Sequence, residues 1–253
     1  MYILISNDDG VQAPGIQALR DAMRTLGETI IVAPDREQSA TSHSLTFHQP
    51  IRATHLDSET IAVSGTPTDS VMLALRSLLD RQPDILVSGI NRGPNLADDV
   101  TYSGTVAAAM ESTLLGVPAI AFSLASYESE NYQVAADFAA TLVKQVLEHG
   151  LPQDVLLNVN IPAVDAGEIR GVRITRLGKR TYQNPVVKKE DPRGRNYYWL
   201  AGTPVNTDLG TDTDTYAIEN DYISITPIHL DLTHYETISH IREWEVNLWQ
   251  NRT

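Results

Sequence analysis

Two neighbouring carboxylates follow the first apolar segment of the chain, in the stretch YILISNDDG. Tyr2–Ser6 has the residues of a short buried strand, so Asp8 and Asp9 are predicted to lie where that strand ends. Two carboxylates about 5 Å apart repel each other by roughly 3 kcal/mol at an effective dielectric constant near 20. Unless water disperses that repulsion, a cation or a proton has to offset it. The simpler interpretation of Asp-Asp-Gly after a strand is a turn or a helix cap.

Other polar clusters fall at the ends of further predicted strands. In an open parallel sheet, ligands bind beyond the carboxyl ends of the strands, so we expect these loops to meet in one crevice. The residues concerned are Ser39, Ser42, Ser44 and Thr46, then Asn91, Asn95, Asp98 and Asp99, then Ser103, Gly104 and Thr105.

These residue types indicate a hard cation next to an anion site. Carboxylates with a serine hydroxyl and an asparagine carbonyl form an all-oxygen set that suits Mg²⁺, Mn²⁺ or Ca²⁺. Ser-Gly-Thr at a helix start offers backbone N–H groups, hydroxyls and the positive end of the helix dipole to a phosphate. A cation beside a phosphate site is typical of phosphoester hydrolysis. Each piece also has a plain structural interpretation: Ser39 as a loop residue, Asn91 as a left-handed turn, and Ser103–Thr105 as a helix cap.

Short apolar strands alternate with amphipathic helices through the first 160 residues. Helices are predicted at 16–26, 66–80, 104–115 and 132–149, and strands at 2–6, 29–33, 51–55, 60–64, 85–88, 119–123 and 155–161. Thr66, Pro67 and Asp69 have the pattern of an N-cap, a first-turn proline and an acidic third residue. The alternation predicts an α/β fold with a mostly parallel sheet and helices on both faces.

The pattern changes beyond about residue 170. We predict a core at 1–165 and a C-terminal part at 166–253 that contains an extended hairpin, a returning strand at 222–229 and a terminal helix at 234–250. The hairpin and the helix are expected either to clasp a second subunit or to pack on the chain's own core. Asp208, Asp212 and Asp214 lie in a polar segment and are expected to be solvated or to belong to a substrate loop. One face of the predicted helix carries Ile238, Ile241, Trp244, Leu248 and Trp249.

Composition excludes several classes of protein. The 253 residues carry 19 basic and 32 acidic side chains, a net charge of −13, which disfavours non-specific binding to nucleic acids or anionic membranes. There is no cysteine, so disulfides and cysteine-based metal sites are absent. The first residues do not resemble a signal peptide, and no membrane span is predicted, so we expect a soluble cytoplasmic protein. The glycine-rich ATP and dinucleotide motifs and the hydrolase nucleophile elbow are also missing.

Four stretches together resemble the SurE family of survival-protein nucleotidases: ISNDDG, SHSLT, GTPTDSV and SGINRGPNLADDVTYSGTVAAAM. The tail GTDTDTYAIENDYISITPIHLDLTHY resembles this family too. The resemblance implies a Rossmann-like three-layer core and a smaller C-terminal part that exchanges elements between subunits, in a homodimer or homotetramer. It also implies a metal-dependent phosphatase that acts on nucleoside 5′-monophosphates and sometimes on 3′-monophosphates.

The same resemblance assigns roles to individual residues. It implies that Asp8, Asp9, Ser39 and Asn91 hold one divalent ion per subunit, Mg²⁺ or Mn²⁺. It implies that the phosphate is contacted by Asn95, Ser103, Gly104 and Thr105. Asp8 or Asp9 is also the candidate to handle a proton of the attacking water.

The sequence departs from the family's pattern at a few glycine positions, and it leaves other activities open. The family usually has glycine where this chain has Ala40, Ala97, Ala107 and Ser112. Alanine at 40 and 97 is expected to restrict loops near the ligand. Alternative functions are hydrolysis of short polyphosphate, a broad phosphomonoesterase, an enzyme that forms an aspartyl-phosphate, and a nucleotide-binding regulatory module without turnover.

Overall fold

The computed structural model describes residues 1–200 and 202–244. The strands are β1 Tyr2–Ser6, β2 Glu28–Pro34, β3 Ala53–Asp57, β4 Thr60–Val63, β5 Ile85–Arg92, β6 Ala119–Leu124, β7 Val155–Ile161, β8 Val172–Ile174, β9 Arg180–Gln183, β10 Val186–Glu190, β11 Asn196–Leu200, β12 Thr203–Asn206 and β13 Ile223–His229. The helices are α1 Pro14–Arg24, α2 Pro67–Leu73 with a π-helical continuation at Ala74–Leu78, α3 Gly104–Leu114, α4 Gln133–His149, α5 Asp214–Glu219 and α6 Tyr235–Arg242, with a 3-10 helix at Ala97–Thr101.

A nine-stranded sheet with the order β3-β4-β2-β1-β5-β6-β7-β13-β8 forms the centre of the molecule. From β4 to β7 neighbouring strands are parallel, and only β3 and β13 run antiparallel to their partners β4 and β7. Strands β2, β4 and β3 lie on one side of β1, and strands β6 and β7 lie on the far side of β5. The predicted α/β fold is confirmed, and its strand order reverses between β1 and β5.

Helices cover both faces of the sheet, as the nearly continuous apolar strands require. Alternate residues of β1 point to opposite faces. Ile3 and Ile5 belong to the core cluster that contains α1 and α4, whereas Leu4 belongs to the cluster that contains α2 and α3. The three-layer arrangement buries β1 on both sides. Among the described residues, no helix combines the length and the apolar character needed to cross a bilayer.

The C-terminal residues return to the sheet and also extend away from it. Strand β13 pairs antiparallel with β7, and β8 adds to β13. The predicted hairpin is present as two consecutive antiparallel ladders, β9 with β12 and β10 with β11. Helix α5 lies in the segment that the sequence analysis treated as a polar loop. Helix α6 ends at Arg242, and Leu248 and Trp249 of the predicted terminal helix lie outside the described residues.

The predicted capping box at the start of α2 is confirmed, and its aspartate also binds the loop after β2. The Thr66 hydroxyl accepts from the Asp69 amide at 3.0 Å, and the Asp69 carboxylate accepts from the Thr66 amide at 2.8 Å. The same carboxylate accepts from the backbone amide of Thr46 at 2.9 Å and from its hydroxyl at 2.6 Å. The loop after β2 is therefore fastened to a helix start.

Ala40 and Ala97, two positions at which the resemblance implied glycine, adopt left-handed backbone conformations. The φ angle is +59° at Ala40 and +53° at Ala97, a region in which a Cβ atom is unfavourable. Ala107 instead lies in the buried first half of α3, where alanine is the best helix former.

We predict opposite effects of glycine at these positions on the free energy of unfolding. Ala97→Gly removes a conformational cost of about 1–2 kcal/mol, partly offset by the greater entropy of glycine in the unfolded chain, so it should stabilise by up to about 1 kcal/mol. Ala107→Gly, the matched control in a helix, should destabilise by roughly 1 kcal/mol or more. Urea unfolding followed by circular dichroism measures both. Destabilisation by Ala97→Gly would contradict the backbone assignment.

Candidate active site

The candidate site lies where the carboxyl ends of β1 and β5 adjoin, at the point where the strand order reverses. Asp8 and Asp9 directly follow β1, and Asn91 is near the end of β5. The two strands are in register up to Ser6 opposite Ser88. This edge of a doubly wound sheet is where ligands bind in such folds, because the flanking loops diverge there and leave a crevice.

Asp8 is buried against the N-terminus of α3. Its carboxylate accepts a hydrogen bond from the Thr105 hydroxyl. A Cβ atom on Gly104 would lie 2.7 Å from the Asp8 Cβ and 2.9 Å from its Oδ2, so only glycine allows this approach. The Asp-Asp pair and the Ser-Gly-Thr segment, 95 residues apart in sequence, are therefore in direct contact.

Burial raises the pKa of Asp8 from 3.8 to about 6. The hydrogen bond from Thr105 opposes this rise, and the charge of Asp9 adds to it. Removal of the carboxylate from water therefore outweighs the hydrogen bond that stabilises its charged form.

Asp9 is less enclosed, but its environment also disfavours its charge. Its Oδ2 accepts from the backbone amide of Arg92 at 3.1 Å. Burial raises the pKa of Asp9, the Arg92 amide lowers it, and the charge of Glu37 raises it further. Among the described residues, no lysine, arginine or histidine forms an ion pair with either aspartate.

Ser39 lies in the loop after β2, and Asn91 lies near the end of β5. The Gln38 amide donates to the Asp8 carbonyl oxygen at 2.7 Å and holds this loop next to β1. The Ser39 hydroxyl donates to Glu37 Oε1 at 2.7 Å, and Ser39 and Asp9 line the same cavity of about 350 Å³. The Asn91 Nδ2 donates to the Gly93 carbonyl at 2.9 Å, which leaves the Asn91 Oδ1 as the atom available to a ligand.

These oxygen atoms could hold a hard divalent cation. No group of three or more histidine, aspartate or glutamate side chains suited to a metal occurs in the part of the chain that the structure describes. A cation at this site would therefore combine two carboxylates with neutral oxygens, a set that favours Mg²⁺ or Mn²⁺ over Zn²⁺. The raised pKa values fit this chemistry, because the charge of Arg92 only partly offsets the burial of Asp9, and a cation would supply further positive charge to both carboxylates.

The start of α3 offers donors to an anion. Ser103 is the N-cap, and its Oγ accepts from the Val106 amide at 3.1 Å. The amides of Gly104 and Thr105 belong to the first turn, which has no intrahelical acceptors for them. These donors lie beside Asp8, so an anion and a cation could be held together here.

Asn95 is buried, and its hydrogen bonds belong to a network separate from that of Asp8 and Asp9. Its Nδ2 donates to the Ser123 hydroxyl at 2.8 Å, and its own amide donates to Asn160 Oδ1 at 2.8 Å. Asn158 and Asn160 both donate to the Asn95 carbonyl, at 2.8 and 2.9 Å. No hydrogen bond of the described residues joins Asn95 to Asp8 or Asp9.

Asn158 and Asn160, which hold Asn95, were not among the residues predicted from the sequence. A signal was present, because Asn158 and Asn160 alternate within the otherwise apolar strand LLNVNI and must face the same side. Two buried amides on one face require partners, and the loop at Asn95 supplies them.

The expectation that Asp214 is solvated was wrong. Asp214 is fully buried and accepts from the amides of Ala97, Gly178 and Thr215, each at 2.8 Å. It joins the 3-10 helix next to the site to the base of the hairpin. Asp208 and Asp212 do lie in a more open environment, where both pair with Arg176.

The loop after β2 is held by further contacts. His43 Nε2 lies 2.7 Å from Oε2 of Glu111, a buried residue of α3, and the Ser42 amide donates to the Tyr102 carbonyl at 3.1 Å. His43 therefore helps to position this loop.

Comparisons with known proteins show which family this chain resembles. The family model described as "Survival protein SurE" matches residues 3–184. The "5'-nucleotidase SurE" of Geotalea daltonii is 53% identical over 247 residues, which cover 97% of this chain and 100% of that protein. The protein of the same name from Geobacter sulfurreducens is 53% identical over 98% of this chain and 95% of its own length.

Among solved structures, the SurE protein from Aquifex aeolicus superposes with a TM-score of 0.87 at 45% sequence identity. The match covers 96% of this chain and 98% of the other. Sequence and fold thus agree over nearly the whole chain, which belongs to the SurE family.

Proposed function

We propose that this protein is a metal-dependent 5′-nucleotidase that hydrolyses nucleoside 5′-monophosphates to nucleoside and phosphate. The observation that carries the proposal is the contact between the Asp8 carboxylate and the Gly104–Thr105 helix start. It puts a candidate cation site beside a candidate phosphate site, which is what phosphomonoester hydrolysis requires. The names of the curated relatives support this reaction.

One divalent ion, Mg²⁺ or Mn²⁺, is proposed to bind to oxygens of Asp8, Asp9, Ser39 and Asn91. When bound, such an ion supplies Lewis-acid polarisation of the phosphoryl group and makes a coordinated water more acidic. The donor set supports this choice, because each of these four residues can offer an oxygen atom and two of them carry negative charge.

The remaining roles fall to groups of the chain itself. The amides of Gly104 and Thr105 bind the phosphoryl oxygens, and the helix dipole stabilises their charge. Ser103 keeps this helix start in place through its cap. Asn95 contacts the phosphate through Oδ1 or its loop backbone while Ser123 and Asn160 restrain it. Asp8 or Asp9 accepts a proton from the attacking water.

We further propose that the protein works in the cytoplasm as a homodimer or homotetramer, through the hairpin and the C-terminal helix. Strands β10 and β11 form a two-stranded ribbon, which is marginally stable alone in water. The ribbon exposes 59% of Tyr198, 61% of Trp199 and 86% of Leu200. A second copy of the chain would cover these apolar side chains.

The activity is tested by phosphate release from a panel of nucleotides, short polyphosphate and other phosphomonoesters, with and without chelator. We expect release from AMP- or GMP-like substrates that stops when the metal is removed. Asp9→Asn should lower kcat by about 100-fold or more, because it removes a ligand and a charge from the cation site. Asp21→Asn, on the exposed face of α1, is the charge-matched control.

Full activity and normal Mn²⁺ binding in Asp9→Asn would refute the ligand assignment. Trapping a labile phospho-protein would instead support an aspartyl-phosphate enzyme. Preferential release from polyphosphate would identify it, rather than nucleotides, as the main substrate.

The buried charge of Asp8 predicts a pH-dependent gain in stability for Asp8→Asn in chelator. Since burial raises the pKa of Asp8 in the folded protein to about 6, its stabilising contribution is present at low pH and is lost as the pH rises through that value. Unfolding free energies should therefore favour the variant by up to about 3 kcal/mol near about pH 8 and show little difference near about pH 4. A difference that does not change with pH would contradict this account.

The assembly is tested by sedimentation. We expect the wild-type protein to sediment with at least twice the 27.8 kDa mass of one chain. Trp199→Glu should shift it towards monomer, because a charge on the apolar ribbon opposes burial. Leu56→Glu, on the opposite edge strand β3, is the matched control. Wild-type particles of 27.8 kDa alone would remove the proposal.

A further inference from the structure

A cavity lies beside Asp9 and Ser39. Its volume of about 350 Å³ falls within the range of small-molecule sites, about 300–1,000 Å³. Asp9 and Ser39, two of the candidate cation ligands, line it together with Pro14, Arg92, Tyr127 and Tyr132, among others. Residues 103–105, the candidate phosphate contacts, do not line it. The cavity therefore adjoins the candidate cation site and is lined by other residues than the candidate phosphate contacts.

Tyr132 brings an unused hydroxyl to this cavity. The residue immediately precedes α4, and only 5% of it is exposed. Its ring packs against α1, where a Cβ atom on Gly15 would lie 3.2 Å from Tyr132 Cε1. Among the described residues, nothing forms a hydrogen bond with the Tyr132 hydroxyl. Because a buried tyrosine normally has a hydrogen-bond partner, the contents of the cavity are the available source of one.

Tyr127 presents an aromatic ring on the open side of the cavity. Its ring packs over Gly93, where a Cβ atom would lie 2.2 Å from Tyr127 Cε1. Its carbonyl accepts from Arg92 Nε at 2.9 Å, which ties this loop to the end of β5. The side chain nevertheless remains 66% exposed. Because the Tyr127 ring packs on Gly93 and is still largely exposed, a planar ligand could stack on it.

The charges around the cavity favour an uncharged ligand. Three carboxylates, those of Asp9, Glu37 and Glu130, line the cavity together with one cation, Arg92. Additional phosphate groups of a polyphosphate would meet a net negative wall, whereas sugar hydroxyls could donate to the carboxylates. A neutral, partly aromatic group with several hydroxyls fits these surroundings.

We propose that this cavity binds the nucleoside half of the substrate, with the base stacked on Tyr127 and the Tyr132 hydroxyl donating to the sugar. The inference rests on the proposed nucleotidase function and adds the residues that distinguish a nucleotide from other phosphomonoesters. Neither tyrosine takes part in the bond-breaking step, so both are specificity determinants.

Two readouts test this inference. The first is calorimetric titration with adenosine in chelator, which depends on neither phosphate nor metal. The second is kcat/KM for AMP, ribose 5-phosphate and ethyl phosphate with metal present. Tyr127→Ala should weaken adenosine binding and lower kcat/KM for AMP by about ten-fold or more, since base stacking on an aromatic ring has that magnitude. It should leave ribose 5-phosphate unaffected, and Tyr127→Phe, which keeps the ring, should behave as wild type.

Tyr132→Phe should lower kcat/KM by about five-fold for both AMP and ribose 5-phosphate, the loss of one neutral hydrogen bond, and should not change the value for ethyl phosphate. Phenylalanine retains the buried ring, and an unchanged melting temperature would show that the fold is intact.

The outcomes separate the two proposals. If the wild type hydrolyses AMP and both Tyr127→Ala and Tyr132→Phe retain its full kcat/KM and adenosine affinity, the nucleoside site is refuted while the nucleotidase stands. If Tyr127→Ala loses adenosine binding but the wild type releases no phosphate from any ester, the nucleotidase fails and the nucleoside site survives. Equal losses for AMP and ethyl phosphate would indicate general damage and overturn the assignment.

Discussion

The main physical constraint on this structure is the free-energy cost of keeping two neighbouring carboxylates at the end of a buried central strand. Asp8 and Asp9 follow β1, which lies in the middle of the sheet and is covered on both faces, so the chain cannot turn both carboxylates into open water. The only charge-stabilising contacts of Asp8 that the structure describes come from the Thr105 hydroxyl and from backbone groups. A cation that binds here relieves a penalty already built into the folded protein.

The elements around the aspartates limit how far they can relax. Gly104 lets α3 approach Asp8 more closely than any other residue would, and the Gln38 amide holds the loop after β2 to the backbone of Asp8. The capping box of α2 fastens the same loop through Thr46. These contacts join distant parts of the sequence and hold the start of α3 and the loop after β2 next to Asp8. Such preorganisation lowers the entropic cost of binding.

Local pattern was enough to predict much of this architecture. The bounds of β1 and β7 and the cap at Thr66 follow from short-range signals: apolar runs of strand length and a threonine three residues before an aspartate. Resemblance to a family implied roles for individual residues, and in the folded chain Asp8 contacts Gly104 and Thr105. The left-handed backbone of Ala97 lies at one of the positions where family glycine is replaced.

Features that depend on distant partners could not be predicted in this way. Asp214 stands among threonines and aspartates and its sequence context suggests a solvated side chain. It is nevertheless buried, and it accepts hydrogen bonds from the amides of Ala97 and Gly178 in two distant segments as well as from the adjacent Thr215. The cavity wall at Tyr132 depends on how α4 packs on α1, which no local pattern records. Burial of a polar group is decided by tertiary partners, and a single sequence does not display them.

The central claim is that the buried aspartates exchange a proton for a metal ion. Calorimetric titration with Mn²⁺ at about pH 5, repeated in buffers of different ionisation enthalpy, measures protons released on binding. Because the pKa of Asp8 is about 6, the wild-type protein should release a substantial fraction of a proton for each ion bound, and Asp8→Asn should release much less. Binding of Mn²⁺ without proton release, or no binding at all, would contradict the account.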